Sequence, residues 1–251
     1  MSPEGAKTPP LLRLERLVKS FGGFHALDGL SLALGEGEIL GLVGPNGSGK
    51  TTCINVISGL YAPDSGTITF GGTAIQGMKP HRLVHLGINR TFQVPKPFLT
   101  LTVRQNVEIA ATYGRGSRTG RTPQDLLDWL GLARLAERPA HELNSAEQKR
   151  LDLARALATS PRLLLVDELA AGLNPAELGA MAETLREIAR SGVALLVVEH
   201  LLGFLSAVTQ RVIVMNAGKE IFEGSLDAAA RDKEVVAVFL GSDDHGSGHG
   251  D

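Results

Sequence analysis

Gly44-Pro45-Asn46-Gly47-Ser48-Gly49-Lys50-Thr51 is the stretch on which the fold turns. It matches G-x-x-x-x-G-K-[ST] at every position. Residues 38–43 (EILGLV) before it are a short continuous apolar run, the pattern of a buried strand. Thr52 and the residues up to Ser58 read as a helix. Strand, glycine-rich loop and helix in that order distinguish a phosphate-binding loop from a chance glycine-rich turn. Glycines let the backbone wrap around phosphates, and the amides converge with the helix N-terminus on negative charge. Lys50 is expected to neutralise the outer phosphates, and the Thr51 hydroxyl to be a Mg²⁺ ligand.

A second motif supports the first. Residues 163–168 read LLLVDE, an apolar strand ending in two acids. In open α/β sheets ligands bind at the carboxyl ends of the strands, where such acids would stand. Asp167 is expected to hold Mg²⁺ through water, and Glu168 to polarise an attacking water.

Working outward, residues 11–18 and 27–34 alternate like half-buried strands, and Pro63-Asp64-Ser65-Gly66 signals a turn before a strand at 67–70. A short helix over 80–86 and a strand over 88–92 follow. Helical spacing then marks 102–112, 123–130 and 145–159, so residues 95–159 read as a helical insertion. The Gly/Ser/Arg-rich stretch 113–122 reads as a flexible connection, with Arg104, Arg115, Arg118 and Arg121 facing water. Strand–helix alternation resumes with a strand at 163–167, a helix at 175–190 and strands at 193–199 and 211–215. That alternation implies a parallel sheet with right-handed crossovers. Residues 1–10 read as a loose leader and 242–251 (SDDHGSGHGD) as a disordered tail.

Composition sets bounds. The 251 residues carry 25 Lys+Arg against 27 Asp+Glu, which disfavours a nucleic-acid partner held by a large basic surface. Hydrophobic residues make up 43% but aromatics only 4%, so the core is expected to be aliphatic, as suits a buried parallel sheet. Cys53 alone excludes an internal disulfide framework. No apolar run approaches the ~18 residues of a membrane span, so membrane contact is expected to go through a partner.

Taken together, the phosphate loop, Gln93 in NRTFQ, an Arg-Ala-Leu helix before the acidic strand, and His200 in VVEH resemble an ATP-binding cassette (ABC) nucleotide-binding subunit across nearly all of residues 11–241. The fold this implies is α/β, a P-loop NTPase of ABC type. It has a mostly parallel sheet core, an N-terminal antiparallel β part and a helical subdomain insertion. Residues 11–94 and 160–241 would form the ATP-binding core, and 95–159 the helical subdomain with the family's signature segment. The resemblance assigns Phe21 to stacking on adenine, Gln93 to reaching Mg²⁺ and sensing the membrane partner, and His200 to the γ-phosphate. Glu168, His200, Lys50 and Gln93 would be catalytic; Thr51, Gln93 and Asp167 would hold the metal. Ala171-Gly172-Leu173-Asn174 occupies the loop that crosses the dimer interface.

The stretches GINRTFQVPKPFLTLTVRQNV, AAGLNPAE and GKEIFEGS further resemble the LivG-type ATPases of branched-chain amino-acid importers, and related importers of urea and short amides share them. The resemblance implies two membrane permeases, an indirect link to a substrate-binding protein, and a peripheral place on the cytoplasmic face of the inner membrane. One departure matters. Where the family has L-S-G-G-Q, this chain has Leu143-Asn144-Ser145-Ala146-Glu147. In the family that segment grips the ATP held by the opposite subunit. Asn144…Glu147 has capping-box spacing, Ala146 adds a methyl, and Glu147 puts a negative charge near a polyanion. An asymmetric heterodimer with a second ATP-binding subunit follows, in which only the partner's nucleotide meets LNSAE. Leu169 also replaces the proline that usually follows the catalytic glutamate. The competing expectations are a non-hydrolysing regulatory subunit, an ABC ATPase without a transporter, and an exporter.

Overall fold

The computed structural model describes residues 9–114 and 121–242. Two sheets form. The first is antiparallel and built from β1 (Leu12–Phe21), β2 (Phe24–Leu34), β4 (Ser65–Phe70) and the two-residue β5 (Thr73–Ala74), in the order β2-β1-β4-β5. Gly22 and Gly23 both have positive φ, which the two-residue turn of the β1–β2 hairpin requires. The alternation of β1 slips between Leu14 and Leu17, where a bulge places Arg16 at φ 47°.

The second sheet contains β3 (Ile39–Val43), β6 (Ile88–Arg90), β7 (Leu163–Asp167), β8 (Ala194–Val198), β9 (Arg211–Asn216) and β10 (Lys219–Gly224), ordered β10-β9-β3-β8-β7-β6. All neighbours are parallel except β9 and β10. The apolar runs that mark its strands arise because both faces are covered. Leu163 and Leu165 of β7 pack with the antiparallel sheet and α1 (Lys50–Ile57), whereas Leu164 and Val166 pack with the helices opposite. β8 divides likewise, with Leu196 and Val198 on the first side and Leu195 and Val197 on the second.

The remaining helices are α2 (Pro80–Leu86), α3 (Val103–Tyr113), α4 (Pro123–Trp129), α5 (Ser145–Ala158), α6 (Pro175–Arg190), α7 (Leu202–Val208), α8 (Leu226–Ala229) and α9 (Lys233–Ser242). Capping boxes start α3, α4, α5 and α6, through Thr102/Gln105, Thr122/Asp125, Asn144/Glu147 and Asn174/Glu177. Leu151 and Ala154 of α5 share one apolar cluster with β7, β8 and α6.

Four expectations change. The strand expected over 88–92 ends at Arg90, because the Phe92 amide turns aside to Asp152 Oδ2 at 2.8 Å. Ser242 closes α9 rather than opening a tail; the rest of that tail, like residues 1–8, lies outside the described residues. Arg104 does not simply face water: it bonds Glu137 and Gln124, each at 2.6 Å. Arg121 stacks 3.6 Å from the Trp129 ring centroid, while Arg115 and Arg118 lie outside the described residues.

Candidate functional site

Because β3, β8, β7 and β6 are parallel, their carboxyl ends open on one edge. The phosphate loop leaves β3 there, Asp167 and Glu168 end β7, Glu199 and His200 follow β8, and Gln93 lies just beyond β6. Motifs up to 156 residues apart in sequence, from Gly44 to His200, therefore share one edge.

The loop's shape depends on two glycines. Gly44 has φ 150°, and a Cβ on it would lie 2.2 Å from Met215 O; at Gly49, φ 104°, it would lie 2.3 Å from Ala26 O. Lys50 is buried and donates to Gly44 O at 2.8 Å, Pro45 O at 2.9 Å and Ser48 Oγ at 3.3 Å. Burial lowers the pKa of its ammonium, with Glu168 and Asp167 opposing that shift. Asn46, Gly47 and Thr51 are exposed. A cleft of about 340 Å³ runs from Phe21 and Phe24 past Asn46, Gly49, Lys50, Thr51 and Thr52 to Glu168 and His200. Phe21 is 43% exposed and meets Tyr61 edge-on, with centroids 5.2 Å apart, so it is not a core aromatic. A larger hollow of about 720 Å³ beside Glu38, Arg186 and Arg211 contains none of the motif residues.

Glu168 sits in the left-handed region at φ 48°, its amide donating to Val198 O at 2.9 Å. Gln93 Nε2 donates to its Oε2 at 2.5 Å, and His200 Nε2 lies 2.9 Å from its Oε1. A carboxylate oxygen only accepts, so His200 presents its N–H at Nε2. Asp167 is buried, with Oδ2 3.3 Å from Arg90 Nη2. Burial pushes the Asp167 carboxyl upward, against the pull of the Arg90 guanidinium. Among the described residues no group of three His, Cys, Asp or Glu could hold a metal. Thr51, Asp167 and Gln93 instead supply a hydroxyl, a carboxylate and an amide oxygen. That all-oxygen set suits Mg²⁺, which is commonly bound by one or two carboxylates together with substrate phosphates.

Asn144 and Glu147 form the expected capping box: Asn144 Oδ1 accepts from the Glu147 amide and Glu147 Oε2 from the Asn144 amide, both at 2.9 Å. None of Asn144, Ser145, Ala146 and Glu147 lines the phosphate cleft. Leu169, in the proline's place, is buried at 2% exposure. Asn174 Oδ1 accepts from the Glu177 amide at 3.0 Å, so the loop before α6 ends in a cap.

Sequence reasoning missed four groups. Arg90 ties Asp167 to Asn55, with Nη1 2.7 Å from Asn55 Oδ1. Asp152 accepts the Phe92 amide. Lys149 and Glu199, both buried, hold the backbone after β7. Burial raises the Glu199 carboxyl to about 7. Of these Arg90 and Glu199 had a signal, their places within NRTFQ and VVEH.

Known proteins bear on this geometry. A probable branched-chain amino acid transport ATP-binding protein LivG of Archaeoglobus fulgidus is 36% identical over 93% of this chain and 96% of its own. The ADP conformation of MJ1267, an ATP-binding cassette of an ABC transporter, superposes with a TM-score of 0.84 at 32% identity, covering 93% of this chain and all of that one. The cassette MJ0796, solved as a dimer in a post-hydrolysis state with ADP and Pi, gives 0.76 at 26% identity over 86% of this chain and 98% of its own. Residues 27–171 match the ABC transporter family. With the phosphate loop of β3 and the acids of β7 on one sheet edge, this chain belongs to that family, as one of its ATP-binding cassettes.

Proposed function

We propose that the chain is the ATP-hydrolysing subunit of an importer for branched-chain or related amino acids, working on separate membrane permeases. The observation that carries the hydrolytic reading is the Glu168 carboxylate, held between Gln93 and His200 at the mouth of the phosphate cleft. Phosphoryl transfer depends on positioning and electrostatics more than on covalent help. Glu168 is placed to orient water, while Lys50 and His200 offset charge on the γ-phosphoryl group. Thr51, Asp167 and Gln93 would hold Mg²⁺, whose charge further offsets that of the phosphates when bound. Phe21 is exposed at the cleft and available to stack on adenine.

No helix among the described residues is long and apolar enough to cross a membrane. Phe92, Val94, Phe98 and Leu99, close to Gln93 in the chain, are exposed apolar side chains that suit a permease helix. Residues 95–159 would carry force from those side chains, placing the chain peripherally on the cytoplasmic face of the inner membrane. The substrate class rests on the similarity to LivG.

The altered signature favours pairing with a second, different ATP-binding subunit. ATP on this chain's Lys50 would then meet an intact signature, and only the partner's ATP would meet LNSAE.

In the assembled transporter Glu168→Gln should lower ATP turnover about 10³-fold with ATP still bound. Unchanged turnover would falsify the assignment. The same assembly in vesicles should accumulate labelled leucine, isoleucine or valine; accumulation of urea alone would redirect the substrate. This chain purified by itself, if it matched the turnover of the assembly, would refute the heterodimer.

A further inference from the structure

We infer that Lys149 is a positioning residue for Glu168, gathering onto one ammonium the backbone carbonyls that follow β7, while Glu199 fixes the amide between them. The inference rests on the hydrolytic reading above, in which Glu168 orients water. Lys149 Nζ donates to Glu168 O at 3.3 Å, to Leu169 O at 3.0 Å and to Ala171 O. The remaining residue of that run, Ala170, donates its amide to Glu199 Oε1 at 2.7 Å. Four consecutive residues are thus held by two opposite charges, one from α5 and one from the end of β8.

Burial makes this more than a surface contact. Lys149 is 6% exposed and Glu199 3%. Among the described residues Lys149 makes no ion pair within 4 Å, so its three donors go to three carbonyls. Burying a lysine is costly, and burial does lower the pKa of this one. A methionine would fill the space without that cost, so packing alone does not account for the charge.

The segment needs holding. Glu168 has φ 48°, a conformation that a side-chain-bearing residue keeps only when its surroundings over-determine it. From that backbone its carboxylate meets Gln93 and His200. Lys149 also stands two residues beyond Glu147, in the helix that LNSAE begins. A shift of α5 therefore pulls directly on the carbonyl of Glu168.

Lys149→Met and Lys149→Arg, each in the full chain within the assembled transporter, test this. The methionine variant should lower kcat for ATP about tenfold, with KM for ATP and the affinity for a fluorescent ATP analogue held within about twofold. The arginine variant, which restores donors to the carbonyls, should recover at least about a third of kcat. Wild-type kcat in Lys149→Met would overturn the inference. So would a parallel loss of kcat and ATP affinity that Arg does not rescue, since that marks a merely structural role. If Lys149→Met does not assemble, Lys149→Gln takes its place, since it removes the charge and leaves too few donors for the three carbonyls. It should lower kcat about threefold at constant KM, and an unchanged kcat would overturn the inference. Glu168→Gln run alongside separates the two claims. Turnover surviving in Glu168→Gln sinks the hydrolytic reading and this inference with it; turnover lost there but retained in Lys149→Met sinks this inference alone.

Discussion

Helix α1 begins behind Gly49 with no side-chain cap among the described residues and no acid in its first turn. Helix α5 begins behind Asn144, whose side chain occupies the Glu147 amide, while the Glu147 carboxylate sits in the first turn and takes the Asn144 amide. The first turn of any helix offers unpaired donors and a partial positive charge, which can serve a ligand or be satisfied by the protein's own side chains. At α1 no side chain takes them, which suits the phosphates proposed to bind there. At α5 part of that capacity is already occupied, which is the physical content of replacing L-S-G-G-Q by Leu143-Asn144-Ser145-Ala146-Glu147.

The largest expected effect lies at the open start. Gly49→Ala puts a Cβ 2.3 Å from Ala26 O on a backbone with φ 104°, so the loop must shift. It should cost about 2–4 kcal/mol in urea melts and most of the ATP affinity. Retained affinity with unchanged stability would mean that this helix start is not the shaped receptor described.

A middle-sized effect is expected at the buried Glu199, which faces the Lys149 ammonium of α5 and the Glu168 carboxylate. Its carboxyl is held at about 7 in the folded chain against an ordinary 4.5. The folded state thus binds more protons than the unfolded one across that interval, and stability falls as pH rises through it. The full penalty stands above pH 7. Glu199→Gln removes the titration and keeps an acceptor for Ala170, so the variant should gain on the wild type by about 1–3 kcal/mol between pH 5 and pH 8. A wild-type minus variant difference that stays flat with pH would contradict the burial argument.

The contrast between the helix starts also marks what the sequence could disclose. The capping box at α5 was legible because Asn144 and Glu147 are three residues apart, and such local chemistry is written in order along the chain. β3, β7 and β8 were legible because strands covered on both faces show as unbroken apolar runs. Asp167 and Glu168 could be found because they close an apolar strand, whereas Gln93 and His200 stood out only through the family resemblance, since a lone histidine after a strand is unremarkable. α7, β10, α8 and α9 were not found. The Lys219–Gly224 strand alternates poorly, α7 and α8 are short, and the Gly-Ser end of α9 looks like the start of a tail. Lys149 was invisible for a different reason. A lysine in a polar helical stretch reads as solvated, and its partners lie 19 to 22 residues away across the fold. The Arg90–Asp167 pair, 77 residues apart, is hidden in the same way.

The smallest effect is expected at Glu147, and it bears most directly on the comparison. Glu147→Gln preserves the capping box, because glutamine can also accept from the Asn144 amide. It removes one negative charge from the first turn of α5, at a cost of about 0.3–1 kcal/mol in charge–dipole stabilisation. If that charge opposes the phosphates of a nucleotide held by a partner subunit, removing it should raise turnover of the assembly about two- to fivefold at low salt. Salt should then narrow the gap, since the repulsion acts at a solvent-exposed helix start and is screened over about 10 Å at 0.1 M. Turnover measured for both proteins at two ionic strengths separates the possibilities. A ratio near one at low salt means that the occupied helix start lies away from the phosphates. A raised ratio that ignores salt would place the effect in the shape of the segment, and Ala146 rather than Glu147 would become the residue that distinguishes α5 from α1.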